Sequence, residues 1–219
     1  LTVGLGCANT VGKEAKALGA KRLLIVTDKG VLKVGLVDRV RKSLDEEALD
    51  YDVFDGVVPE PTTESWELAT KVVRAKKYDL IVGVGGGSTI DTSKATALGA
   101  TNPRIPHEYV GRKFENSPLP MIIIPTTAGT GSEVTEAAGV EIEPKRKDFI
   151  WDPRLVPDIS LVDPLMTLSL PPKLTAETGF DALSHAMGAI MCKKANPFTD
   201  IEALKCIELV SNNLRIAYY

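Results

Sequence analysis

Ile81-Val82-Gly83-Val84-Gly85-Gly86-Gly87-Ser88, continuing as Thr89-Ile90-Asp91-Thr92-Ser93-Lys94-Ala95, is the stretch on which the fold turns. Tyr78 to Val84 is an apolar run, read as a buried strand. Gly85, Gly86 and Gly87 end it. Glycine lets a backbone turn with positive φ and approach a ligand closely, at a cost in backbone entropy. Ala95, Ala97, Leu98 and Ala100 then suit a helix. Ser88 or Thr89 can cap it, and Ser88-x-x-Asp91 has the spacing of a capping box. Backbone N–H groups at such a helix start attract phosphate. A plain strand–turn–helix corner would give a similar pattern. Three consecutive glycines exceed what such a corner needs, which favours phosphate binding.

Working outward, the theme recurs. Pro120-Met121-Ile122-Ile123-Ile124-Pro125 reads as a second buried strand, running into Thr126-Thr127-Ala128-Gly129-Thr130-Gly131-Ser132-Glu133. Such a cluster is often only a solvated turn. Its small hydroxyl residues and glycines also offer donors without bulk. Two loops of this kind, each closing an apolar strand, fit a ligand crevice at strand carboxyl ends. Upstream, Val11 to Leu18 reads as a helix stopped by Gly19, Lys21 to Asp28 as a strand, and Val37 to Glu47 as an amphipathic helix. Leu49 to Val58 reads as a strand broken by Pro59-Glu60-Pro61-Thr62, and Thr63 to Lys76 as a helix. Alternating strands and helices predict an α/β domain with a parallel sheet. Ala137 to Ile142 and Lys147 to Trp151 flank Glu143-Pro144-Lys145-Arg146 as a hairpin whose basic tip is wet. Ile159 to Pro164 closes this domain, and Pro171-Pro172 marks a boundary. Lys173 to Lys193 and Thr199 to Tyr219 read as helices.

Three further features bear on chemistry. Asp181 and His185 are four residues apart, which on a helix puts carboxylate and imidazole one turn apart on one face. The pair suits either two corners of a divalent metal site or a local hydrogen bond. Asp28 ends an early strand, where an acid can accept from ribose hydroxyls and repel a 2′-phosphate, or can form a turn before Lys29-Gly30. The other histidine, His107, reads as a surface-loop residue, and Trp66 and Trp151 as packing residues.

Charge excludes some classes. There are 26 Lys and Arg against 29 Asp and Glu, a formal net charge of -3, so no basic field invites nucleic acid. No apolar segment reaches the roughly 18 to 20 residues that span a bilayer, and no signal peptide is evident at the start. Cys7, Cys192 and Cys206 are widely spaced without a C-x-x-C, which predicts reduced thiols and a cytoplasmic protein.

Together, Gly85-Gly86-Gly87-Ser88-x-x-Asp91-x-x-Lys94, Pro125 to Glu133, and Gly179-x-Asp181-Ala182-Leu183-x-His185-Ala186 resemble the iron-containing (group III) alcohol dehydrogenase family in order and spacing. The likeness runs from Gly4-Leu5-Gly6 to Asn196-Pro197-Phe198-Thr199-Asp200. It implies a dehydroquinate synthase-like fold: a Rossmann-like dinucleotide-binding domain, residues 1–170, and the beginning of an all-helical metal-binding domain, residues 171–219. It implies NAD held by Asp28, Gly85, Gly86, Gly87, Ser88, Asp91, Lys94, Thr126, Thr127 and Thr130. For Asp91 and Lys94 an i,i+3 ion pair is the simpler alternative. It implies a divalent metal, Fe2+ in preference to Zn2+, on Asp181 and His185. The reaction implied is oxidation of a primary alcohol or reduction of an aldehyde, by a homo-oligomer with neither nucleic acid nor membrane as partner. Related readings are a hydroxyacid–oxoacid transhydrogenase, a zinc glycerol dehydrogenase-like enzyme, a dehydroquinate synthase-like lyase, and a non-catalytic nucleotide-binding fragment. The chain departs from the family in carrying Glu60 where relatives often have Asn. At the position where many relatives direct a Lys to the cofactor, Lys147 and Asp148 straddle the site. Family members draw two further histidines for the metal from helices downstream, which implies that these 219 residues are a fragment of low metal affinity and little activity.

Overall fold

The strands form where the apolar runs are, and the computed structural model describes residues 1–219. In chain order the elements are β1 (Thr2–Val3), α1 (Val11–Ala17), β2 (Arg22–Val26), α2 (Lys29–Lys33), α3 (Leu36–Glu46), β3 (Asp50–Phe54), α4 (Thr63–Ala75), β4 (Leu80–Gly85), α5 (Gly87–Thr101), β5 (Met121–Pro125), β6 (Ala137–Glu143), β7 (Arg146–Trp151), β8 (Ile159–Val162), α6 (Pro172–Met191) and α7 (Pro197–Tyr218). The chain divides into two units. One is Leu1–Thr126 with Ser132–Met166; the other is Thr127–Gly131 with Thr167–Tyr219.

In the first unit six strands form a parallel sheet of order β1-β8-β5-β4-β2-β3. Side chains alternate between its faces. Leu23 and Ile25 of β2 join Val11, Val37, Val40 and Leu44 in one core. Leu24 and Val26 join Ala69, Val73 and Ala97 in another, on α4 and α5. A parallel sheet covered on both faces needs such unbroken apolar strands. Each fully buried aliphatic side chain contributes roughly 1.5 to 3 kcal/mol. β6 and β7 form a separate antiparallel ribbon. Its inner residues Ala138, Val140 and Ile150 pack with Trp66 and Tyr109. The carboxylate of Asp163, just after β8, accepts the N–H groups of Gly6, Ala8 and Leu165, which fastens the first loop of the chain.

In the second unit α6 packs on α7. Gly179 permits this, because a Cβ there would collide with Leu214. Asn196 caps α7 by accepting from Phe198 and Thr199 N–H, and the Thr199 hydroxyl accepts from Asn196 N–H. No helix of the protein is long and apolar enough to cross a membrane.

Several local expectations are corrected. The run Gly85 to Gly87 does not use positive φ; Gly86 has φ −80°, and the glycines with positive φ are Gly6, Gly19, Gly35, Gly111 and Gly131. What β4 needs is absence of a side chain. A Cβ on Gly83 would lie 2.5 Å from Ser93 Oγ, and one on Gly85 would strike Thr89. Neither Ser88 nor Thr89 caps α5, and there is no capping box. Gly86 is the N-cap, without a side-chain hydrogen bond. The close approach of strand and helix starts α5 earlier than the hydroxyl residues suggested. Trp151 is not a packing residue: it is 65% exposed and tilts against Phe149 on the outer face of the ribbon. His107 lies in a 3-10 turn, half-buried, with Nδ1 enclosed and lacking a protein partner. β1 and α2 escaped the reading because two and five residues carry no period.

Candidate functional site

The sheet order brings three chain segments side by side at the carboxyl ends of β2, β4 and β5. Thr27, after β2, donates its hydroxyl to Val84 O of β4 at 2.8 Å. Thr126, after β5, donates its N–H to Gly85 O at 3.0 Å. The ends of these three strands are thereby locked together.

At the first end, Asp28 Oδ1 accepts from Gly30 and Val31 N–H at 2.8 and 3.0 Å, as the N-cap of α2. Its Oδ2 receives only the Thr89 hydroxyl, at 3.4 Å. Asp28 therefore performs the turn-forming role and still presents a second carboxylate oxygen beside the start of α5. At the middle end, Gly87, Ser88 and Thr89 open a helix of 15 residues with no side-chain cap and no acid in its first turn. The first N–H groups of a helix lack intrahelical acceptors, and the macrodipole places positive charge there. Gly86, Gly87 and Ser88 are half-buried, which leaves this end open to a ligand. At the third end Thr126 is 4% exposed.

Asp91 and Lys94 lie on the next turns of α5, and both reach the Ser132–Gly139 segment. Asp91 Oδ1 accepts from the Ser132 hydroxyl at 2.7 Å and Oδ2 from Gly139 N–H at 3.1 Å. Burial pushes the Asp91 carboxyl above the ordinary range, while these hydrogen bonds pull it back. Lys94 is fully buried, and its ammonium donates to the carbonyls of Ser132, Thr135 and Ala137 at 2.7, 2.7 and 2.8 Å. Burial pulls it down to about 8, against the attraction of Asp91 and Glu133. No direct ion pair joins Asp91 to Lys94, so the simple i,i+3 alternative is not what the structure contains. On the outer face of the ribbon, Lys147 Nζ stands 3.3 Å from Glu60 Oε2. Glu60 has φ +52°. Asn tolerates this left-handed conformation better than Glu, a physical reason for the Asn that the family resemblance implies there. Nothing in the sequence signalled the Glu60–Lys147 pair, whose partners are 87 positions apart.

The second unit holds the other candidates. Thr127 and Thr130 belong to its Thr127–Gly131 loop. A Cβ on Gly129 would lie 2.6 Å from Thr178 O, so glycine lets that loop seat on α6. Loop, α6 and α7 enclose an open groove of about 530 Å³, lined by Thr130, Ala182, His185, Ala186, Glu202 and Cys206 among others. His185 Nε2 stands 3.6 Å from Asp181 Oδ1. Two ligands of a tetrahedral ion with bonds of about 2.1 Å stand about 3.4 Å apart, so carboxylate and imidazole fit two of its corners. No third His, Cys, Asp or Glu groups with them. Glu202 and Cys206 line the same groove, which sequence reading missed because they are on the other helix. The three cysteines are free thiols, as expected.

Comparison with known proteins bears on this arrangement. A family model described as iron-containing alcohol dehydrogenase matches residues 1–164. A second, the C-terminal region of the Fe-containing alcohol dehydrogenase family, matches residues 175–219. Long-chain-alcohol dehydrogenase 1 of Geobacillus thermodenitrificans is 42% identical over 219 residues, covering 98% of this chain and 55% of the relative. Among solved structures, a 1,3-propanediol oxidoreductase superposes with a TM-score of 0.93 at 39% identity, covering 99% of this chain and 57% of the other. The sulfoacetaldehyde reductase of Bifidobacterium kashiwanohense in complex with NAD+ superposes with a TM-score of 0.92 at 33% identity, covering 99% and 58%. The chain thus spans little more than half the length of the relatives it matches, and within that span it belongs to the iron-containing alcohol dehydrogenase family.

Proposed function

We propose that this chain carries the dinucleotide site and part of the metal site of an NAD-dependent enzyme that oxidises a primary alcohol and reduces the corresponding aldehyde. Residues 1–170 form the dinucleotide-binding domain, and residues 171–219 begin the helical metal-binding domain. The observation that carries the reading is the uncapped start of α5, standing between Asp28 and Thr126 along the carboxyl edge of the sheet. A crevice at that edge is where open parallel sheets bind nucleotides. The relative solved with NAD+ supports the choice of cofactor.

The N–H groups of Gly87 and Ser88 would receive the pyrophosphate, with Gly86 keeping a side chain out of its path and Gly85 letting α5 close on β4. Asp28 would accept from the adenosine ribose hydroxyls and repel a 2′-phosphate, which selects NAD over NADP. Thr126, Thr127 and Thr130 offer hydroxyl donors. Asp181 and His185 would hold two positions of a divalent ion, iron in preference to zinc. When bound, NAD supplies the hydride acceptor and the ion supplies Lewis acidity at the alcohol oxygen. The protein binds, orients and excludes water. We read the whole enzyme as a cytoplasmic homo-oligomer acting on small alcohols or aldehydes.

Calorimetric titration of NAD into the chain tests this reading. Gly86→Val places a branched side chain where the pyrophosphate would lie. It is expected to weaken NAD about tenfold or more, that is by about 1.4 kcal/mol or more, with the circular dichroism spectrum unchanged. Unchanged affinity in a folded Gly86→Val protein rejects phosphate binding at this loop.

A further inference from the structure

Lys94 is the largest buried charge that the proposed chemistry does not use. An ammonium has three N–H groups, and Lys94 meets three backbone carbonyls at hydrogen-bond distance: Ser132 O, Thr135 O and Ala137 O. The Thr135 and Ser132 hydroxyl oxygens stand further off, at 3.1 and 3.4 Å. With the side chain fully buried, no N–H remains to reach a nucleotide. The three nearest targets are backbone, and all the acceptors lie in one segment 38 to 43 positions downstream.

That segment is held from a second direction. The Ser160 hydroxyl of β8 donates to Glu133 O at 2.6 Å, and Ser160 is 3% exposed. Ser132–Glu133 is thus suspended between α5 and β8. Along the sheet, β2 and β4 are neighbours, and β5 and β8 follow on the other side of β4. A dinucleotide with its adenosine at Asp28, after β2, and its pyrophosphate at the start of α5, after β4, extends its other half toward β5 and β8. It then runs toward the wall that Lys94 and Ser160 hold.

We propose that Lys94 is a positioning residue: it touches no part of the dinucleotide, and fixes the Ser132–Ala137 backbone as the wall against which the nicotinamide half of NAD is placed. This departs from the cofactor contact that the family resemblance implied for Lys94. It rests on the dinucleotide reading given above.

The test compares two probes on the full chain. ADP occupies only the Asp28 and α5 positions; NAD also needs the wall. In Lys94→Met three backbone carbonyls lose their donor and the segment relaxes. The expected result is a Kd for NAD raised about tenfold, with the Kd for ADP within about twofold of wild type. A direct phosphate contact would instead weaken ADP and NAD alike, and a purely structural lysine would leave the ratio of the two unchanged; either result overturns the proposal. If Lys94→Met does not fold, Ser160→Ala decides. It removes one hydroxyl from the far side of the same segment, and is expected to weaken NAD about threefold without changing ADP. Parallel changes, or none, in that variant overturn the proposal. Wild-type protein that binds ADP but not NAD rejects the positioning role alone, whereas protein that binds neither rejects the dinucleotide reading and this inference with it.

Discussion

Replacing Gly85 by Ala adds one methyl group, and the structure says what that group meets. The new Cβ would lie 2.5 Å from Thr89 Cβ and 2.8 Å from Thr89 Cγ2. Ordinary carbon contacts are about 3.5 to 4.0 Å, so the shortfall is about 1 Å. Thr89 is 1% exposed and cannot swing into solvent. Thr126 N–H is bonded to Gly85 O on the other flank, so the strand cannot retreat freely. α5 must therefore lift from β4. Overpacking of this kind costs about 1 to 3 kcal/mol, and a buried β-branched side chain whose own Cβ stands in the way places this site in the upper half of the range. For a chain of this size that is on the order of 5 to 10 °C in Tm. Because the proposed anion site is the start of α5, NAD affinity should fall as well, by about tenfold for every 1.4 kcal/mol of binding free energy lost. Urea denaturation followed at 222 nm gives the first quantity and calorimetry the second. Adding Thr89→Ala should restore less than half of the stability, because the Thr89 Cβ itself is an obstacle. A Gly85→Ala protein destabilised by under about 0.5 kcal/mol would refute the close-approach argument and return this glycine to the role of an ordinary turn residue.

Three further outcomes follow from the same geometry. Asp28→Gly removes the carboxylate beside α5 while keeping a tolerated N-cap residue; the affinity ratio of NADP to NAD, by calorimetry, should rise about tenfold, and an unmoved ratio would separate Asp28 from cofactor choice. His185→Ala should remove the weak calorimetric binding of Zn2+ or Fe2+ that two ligands allow the chain, read at millimolar metal, while moving Tm little, because the imidazole side chain is 66% exposed and pairs only with Asp181; weak binding by wild type that the variant retains would reduce the pair to a local contact. The third concerns pH. Lys94 titrates at about 8 in the folded chain, below its ordinary 10.5, so between those values the unfolded chain holds more protons. Stability should therefore rise as pH climbs from about 8, relieving a burial cost on the order of 3 kcal/mol that is fully present below pH 8. The window is best read up to about pH 9.5, before the half-buried Tyr51 and the buried Tyr78 and Tyr109 hydroxyls, whose values are raised, contribute the opposite slope. Urea midpoints that fall across that window in wild type, or that rise equally in Lys94→Met, would contradict the assignment.

The α/β architecture was legible because its signals are local. β4 and β5 are continuous apolar runs, α3 has a helical period, and a glycine run can be seen wherever it stands. The physical use of that run was less legible. Gly83 and Gly85 are needed because Ser93 and Thr89 press on them from α5, and a sequence does not display that contact. The same rule separates the candidate site residues. Asp181 and His185 could be paired from sequence because four positions on a helix fix their relation in space. For Asp91 and Lys94 the same rule offered an intrahelical pair as the simpler alternative to a cofactor contact, and that alternative is not what the structure contains. Their partners lie 38 to 48 positions ahead, in a segment that only the folded sheet brings back to α5. Once those acceptors are present, each charge gains more from two or three short hydrogen bonds than from a partner one turn away in a solvated helix. A spacing rule describes the helix before it packs, and a buried lysine with three carbonyls in reach answers to the packing.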